Sequence, residues 1–187
     1  MEVRNPSLVR GARLAVLLCV GLAACKTEVF NEQKRVFSDQ VLRPIAAQQM
    51  EERVSQARGL LAQINLAREQ KAAGQTVTTS DTQLLFKTIV ALLEPTPDDA
   101  QAIERLRSFA DLTVRKPLGE RKTEYHDILE WLDRRRLPLR NQITRRLAET
   151  AIPTDKGFLI CVNGVQRQYE QGESGRFKRL PDKAGSC

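Results

Sequence analysis

The spacing of apolar residues changes once along this chain, at Pro153, and that change divides the fold. Upstream, Val36, Phe37, Val41 and Leu42 lie on one early face, and Met50, Val54, Ala57, Leu61 and Ile64 follow at alternating four- and three-residue steps. Such steps place side chains in one narrow stripe of a helix and predict a helix from Thr27 to about Ala73. Pro44 lacks the amide that a helix interior needs and crowds the preceding turn, which predicts a break or kink near Arg43. Gly74 and the Thr/Ser run to Ser80 end the second piece.

Ser80 or Asp81 is suited to cap the next helix, which buries Leu85, Ile89, Leu92 and Leu93 and stops at Glu94-Pro95. Thr96-Pro97-Asp98-Asp99 then restarts it: Thr96 caps, Pro97 sits where a missing amide costs nothing, and two acids meet the positive end of the helix dipole. Ile103, Leu106 and Ala110 form its buried stripe, and Pro117 ends it. A further helix runs from about Gly119 to Arg136 with Tyr125, Ile128, Leu129 and Leu132 inward, and Pro138 begins a shorter one with Ile143 and Leu147. Beyond Pro153, Phe158-Leu159-Ile160-Cys161-Val162, Asn163-Gly164 and Val165 to Tyr169 read as strand, two-residue turn and strand, because Asn-Gly tolerates the positive φ angles that such a hairpin requires. A third short strand is expected at Arg176–Leu180, after the loop Gly172-Glu173-Ser174-Gly175. The expectation is a mainly α fold: a bundle of four to six helices with a small C-terminal β-hairpin closed by a disulfide.

The N-terminus carries different information. Arg4, Arg10 and Arg13 precede an uncharged apolar stretch, Leu14 to Ala24, that ends in small residues before Cys25. From Leu14 to Cys25 is 12 residues, whereas a spanning helix needs about 20. Cys19 follows Leu17 and Leu18, which are too bulky for the small-residue requirement at a cut; only Cys25 fits. Leu22-Ala23-Ala24-Cys25 resembles the lipobox of bacterial lipoprotein precursors. The resemblance implies a signal peptide over residues 1–24, cleavage before Cys25, and acylation of Cys25 by diacylglyceryl and fatty acyl groups such as palmitate. Two or three buried chains hold a protein firmly on its membrane, at about 0.8 kcal/mol per buried CH₂. Lys26 is not the aspartate that retains many such lipoproteins at the inner membrane, so the family's sorting rules favour the outer one, facing the periplasm.

Cleavage leaves a lipid-anchored helical domain, 25–152, and a hairpin element, 153–187, packed on it. With Cys19 removed and Cys25 acylated, Cys161 and Cys187 remain, in an oxidising compartment, and are expected to pair. The first 24 residues carry Arg4, Arg10, Arg13 and Glu2, so the mature chain keeps 27 of the 30 basic and 22 of the 23 acidic side chains. The charge is uneven: residues 25–100 hold 9 basic and 10 acidic side chains, and residues 101–187 hold 18 and 12. Basic surface raises the question of nucleic acid, but an exported protein rarely meets any. The fitting anions are lipid head groups, glycolipid and acidic protein faces; the plainer alternative is a solvated helix surface paired internally, as at Glu130 with Arg134 and Glu104 with Arg107.

Catalytic patterns are weak. His126 is the only histidine, which excludes a multi-histidine zinc site, and consecutive helical residues point apart, so Asp127 is badly placed to orient His126. Glu173-Ser174 is similar to the glutamate-serine pair of lytic transglycosylases, but only over those two residues, and between glycines rather than on a helix. The reading is therefore of no enzyme, no metal and no cofactor. Two binding faces are candidates: the basic hairpin residues Arg167, Arg176, Lys178 and Arg179, and Trp131 with Arg135 in the Arg134-Arg135-Arg136 run, since Trp and Arg are frequent in hot spots. Against the second, Trp131 can equally pack at the core edge under arginine stems. The expected function is that of a lipid-anchored, periplasm-facing accessory that binds or assembles an envelope protein, as pilot-like or scaffold-like lipoproteins do. The alternative is an inhibitory, immunity or exclusion lipoprotein whose basic C-terminal element blocks its target.

Overall fold

A computed structural model describes residues 30–181 and Cys187; the signal segment 1–24, Cys19, Cys25 and the expected helix start at Thr27 lie outside the described residues. Helix begins at Phe30 and runs through a π turn, Ser38–Leu42, directly into α1, Arg43–Ala72. The expected break at Pro44 takes this form instead. Pro44 stands in the first turn of α1, and the Arg43 amide donates back to the Ser38 carbonyl, five residues earlier. One wide turn absorbs the missing proline amide, and the helix continues.

Three more helices follow: α2, Thr79–Leu93; α3, Ala100–Ala110, entered through a 3₁₀ turn at Pro97–Asp99; and α4, Leu118–Glu149. The α2 cap is Thr78, earlier than expected; its hydroxyl donates to the Asp81 carboxylate, while Ser80 lies in the first turn. α4 corrects the sequence reading: Pro138 sits inside one 32-residue helix rather than starting a second. A proline forfeits one backbone hydrogen bond, but Ile128, Leu132, Leu139 and Ile143 are all buried on both sides of it, and that packing holds the two halves in line.

The helices alternate in direction. Ion pairs at Glu51–Arg136 and Arg58–Asp133 fix α1 antiparallel to α4. At 30 and 32 residues, these two are about 45–48 Å long, and the shorter α2 and α3 cover only their far half. The near half is covered by a four-stranded antiparallel sheet in the order β1 (Ile152–Thr154), β2 (Gly157–Val162), β3 (Val165–Gln171), β4 (Phe177–Arg179). The Asn163-Gly164 turn has both residues at positive φ, 54° and 77°, and β4 falls within the expected third strand. β1 was not foreseen; its Pro153 is tolerated because β1 is an edge strand.

One hydrophobic core runs the length of the molecule. Leu61, Ile64, Ile89, Leu93, Leu106 and Leu132 fill it between the helices. At the near pole Phe37 stacks on Phe158 with ring centroids 4.3 Å apart and meets Tyr169 and Phe177 edge-on at 5.9 and 5.0 Å. Leu85, Leu92, Ile103, Tyr125 and Leu129 pack on this core but are only partly buried, whereas Phe86 and Phe109, unassigned in the sequence reading, are buried.

Candidate functional site

Pairing register decides where the basic residues of the sheet lie. Phe158 and Ile160 of β2 stand opposite Tyr169 and Arg167 of β3, and Tyr169 stands opposite Arg179 of β4. Directly paired residues share a face, so Arg167 and Arg179 lie on the helix-facing side with the aromatic cluster. Lys178 pairs with Glu170 on the other face, and Arg176 precedes β4 in the loop. The four predicted binding cations are thus divided by the pleat and do not form one patch. Arg176 and Lys178 are exposed, and Arg167 is half-buried with its Nε unpartnered.

Cys161 and Cys187 are joined by a disulfide, Cα atoms 6.0 Å apart, beside the hairpin turn, where the Cys187 amide donates to the Gly164 carbonyl. The sheet is tied to the start of the first helix: the Phe177 amide donates to Gln40 Oε1 at 3.0 Å, and Gln49 Nε2 donates to Asn163 Oδ1 at 2.9 Å. Glu173 and Ser174 are exposed in the β3–β4 loop, which Gly172 and Gly175 fold into a tight turn.

Trp131 and Arg135 belong to the interior, and the expected docking face is corrected accordingly. Trp131 is 5% exposed and donates its indole N–H to Asp99 at 2.8 Å. Asp99 also accepts from the Thr96 amide and hydroxyl at 2.8 and 3.0 Å, the cap foreseen in the sequence. Arg135 donates to the Leu93 and Glu94 carbonyls that end α2, and to Gln142. What remains outside is a pocket of about 330 Å³ lined by Trp131, Arg105, Asp127, Glu130 and Arg134. Its charges are matched, Arg105 to Asp127 at 2.9 Å and Arg134 to Glu130 at 3.7 Å. Exposed His126 therefore has no partner in Asp127, which faces α3 instead.

Glu94 is the second internal node. It ends α2 with φ 46°, a left-handed conformation unusual for a side chain of its size. Its carboxylate accepts from Arg53 of α1 at 2.5 Å and Arg146 of α4 at 2.7 Å. Burial pushes the Glu94 carboxyl up, but those two hydrogen bonds outweigh it and hold the group below its ordinary range.

At the far pole the fold assembles a cleft that the sequence reading missed. Arg68 and Lys71 come from the end of α1, Arg115 and Lys116 from the α3–α4 loop, and Arg121 from the first turns of α4; Leu112 and Val114 supply apolar surface. The available signal was the seam: Arg68 stands four residues after Ile64, where the stripe calls for another apolar side chain. Arg68 is 5% exposed and donates from Nη1 to the Phe109 carbonyl at 2.5 Å and from Nη2 to the Val114 carbonyl at 3.2 Å.

Among the described residues no group of three His, Cys, Asp or Glu side chains is arranged to hold a metal, and no helix is long and apolar enough to cross a membrane. No family model, curated protein or solved structure matches this chain.

Proposed function

We propose that this protein is a lipoprotein of the bacterial envelope, acylated at Cys25, that faces the periplasm and acts without catalysis as a binding or assembly accessory. One observation carries the reading: Leu22-Ala23-Ala24-Cys25 closes a short apolar stretch five residues before the helix that starts at Phe30. Five residues reach at most about 17 Å. An acylated Cys25 therefore keeps the sheet-bearing pole near the lipid surface, with the α2–α3 end directed away from it. Exposed Lys34, Arg176 and Lys178 at the sheet-bearing pole suit an anionic head-group layer. The inhibitory alternative is less well supported, because the pleat separates Arg167 and Arg179 from Lys178 and leaves no single basic hairpin face.

Fatty-acid labelling of cells expressing the wild type and Cys25→Ser tests the anchor. The wild type should take up label and fractionate with the outer membrane, and Cys25→Ser should remain unprocessed and unlabelled. Label persisting on the variant overturns the assignment. Affinity purification from cross-linked envelopes should then recover an envelope protein with the acylated chain.

A further inference from the structure

The geometry points to the far-pole cleft as a binding site for an oxyanion, a phosphate or carboxylate group carried on an apolar body. The cleft has a volume of about 410 Å³ and is lined by five cations and no acid. Two of the five are already engaged. Arg68 spends its Nη atoms on the carbonyls that end α3 and on Val114, and Lys116 pairs with Glu124 at 2.8 Å. Lys71, Arg115 and Arg121 have no carboxylate within ion-pair distance among the described residues.

Two of the guanidinium groups lining the cleft keep an unused donor. Arg68 Nε and Arg121 Nε are both buried and unpartnered, and orphan donors of this kind in a folded protein call for a missing acceptor. The nearest acids do not supply it: Glu124 gives Oε1 to Lys116 and its buried Oε2 makes no hydrogen bond, and the Asp111 carboxylate accepts from the Thr113 amide and hydroxyl at 2.9 and 2.7 Å. Guanidinium forks and ammonium groups converging on one space match the geometry of phosphate and carboxylate oxygens. Leu112 and Val114 in the same wall provide a surface for the carbon skeleton bearing that group, as in other small-molecule sites. This inference does not depend on acylation of Cys25.

Full-length protein in non-ionic detergent, at constant ionic strength, is titrated with inorganic phosphate, phenyl phosphate and phenylacetate, following the amide resonances of Leu112–Lys116 and the Nε–H signals of Arg68 and Arg121. The expected result is saturable binding, tighter for phenyl phosphate than for inorganic phosphate. Arg115→Ala/Arg121→Ala should weaken it about tenfold or more, the equivalent of one or two charge-assisted contacts, with helical content unchanged. Should that pair fail to fold, Lys71→Gln/Arg115→Gln, both exposed, serves the same purpose. Arg105→Ala/Arg134→Ala, in the charge-matched pocket, should leave binding intact. Tighter phenyl phosphate assigns the site to phosphate esters, and tighter phenylacetate to carboxylates. Shifts that stay linear to about 20 mM, weaker than any useful affinity, or binding indifferent to the cleft variants, overturn the inference.

Discussion

Asp99 shows how one side chain joins three tasks. It closes the cap with Thr96, receives the indole proton of Trp131, and lies 3.6 Å from the buried guanidinium of Arg135. Burial pushes its carboxyl up, and the hydrogen bonds from Trp131 and Thr96 prevail and hold it below its ordinary range. Asp99→Ala removes a cap and leaves a buried cation less compensated, and should cost about 3 kcal/mol in chemical denaturation. Trp131→Phe, which loses mainly the indole bond, should cost about 1 kcal/mol. The double variant should cost less than both together, because each removes the same contact; simple additivity would show that Asp99 and Trp131 are not coupled.

The sheet is an element with little room for change. A Cβ on Gly157 would lie 2.1 Å from the Tyr169 carbonyl oxygen, so the β2–β3 ladder must open to accept it. Gly157→Ala should lower stability by about 1–3 kcal/mol and weaken amide protection in β2 and β3 more than in α2 and α3. The disulfide closes a loop across 26 residues, so reduction, or Cys161→Ser with Cys187→Ser, should cost about 3–4 kcal/mol by loop entropy. Equal thermal midpoints with and without reductant would refute that contribution. The hairpin was legible because Asn-Gly states its own geometry, and β4 because it follows a glycine-rich loop. The two prolines differ: the local cost of Pro44 is met by the π turn just before it, whereas at Pro138 the packing on both sides outweighs that cost and the helix runs on.

For the whole molecule, Glu94 is the point where three helices meet, through Arg53, Arg146 and Arg135. Glu94 and Asp99 both have carboxyls held below their ordinary values in the folded state. Groups of this kind stabilise fully above their unfolded range, about pH 4, and lose that stabilisation as pH falls through the lower folded values. Stability should therefore be level from neutral pH to about pH 5 and fall below about pH 4. Because Glu94 and Asp99 lie where the sheet-covered and helix-covered halves adjoin, helix and near-ultraviolet signals should be lost together in acid. Glu94→Gln should shift the acid midpoint upward in pH by weakening the junction at the start; an unchanged midpoint would remove Glu94 from the account.

The sequence by itself determined what depends on neighbours a few residues away. The three-and-four spacing determined the helices, Thr96-Pro97-Asp98-Asp99 the start of the third, and Asn163-Gly164 the hairpin. Its reading of the N-terminal 24 residues and Cys25 belongs to the same local kind, and labelling decides it. Tertiary structure decided what depends on residues far apart in sequence. Trp131 and Arg135 became interior because Asp99 and the carbonyls ending α2 satisfy them, partners more than 30 residues away. The basic quartet was separated because side chains alternate across a pleat once register is set. The far-pole cleft needed α1, the α3–α4 loop and α4 to converge, since its cations are scattered from Arg68 to Arg121 in sequence and line one space only when folding brings those elements together.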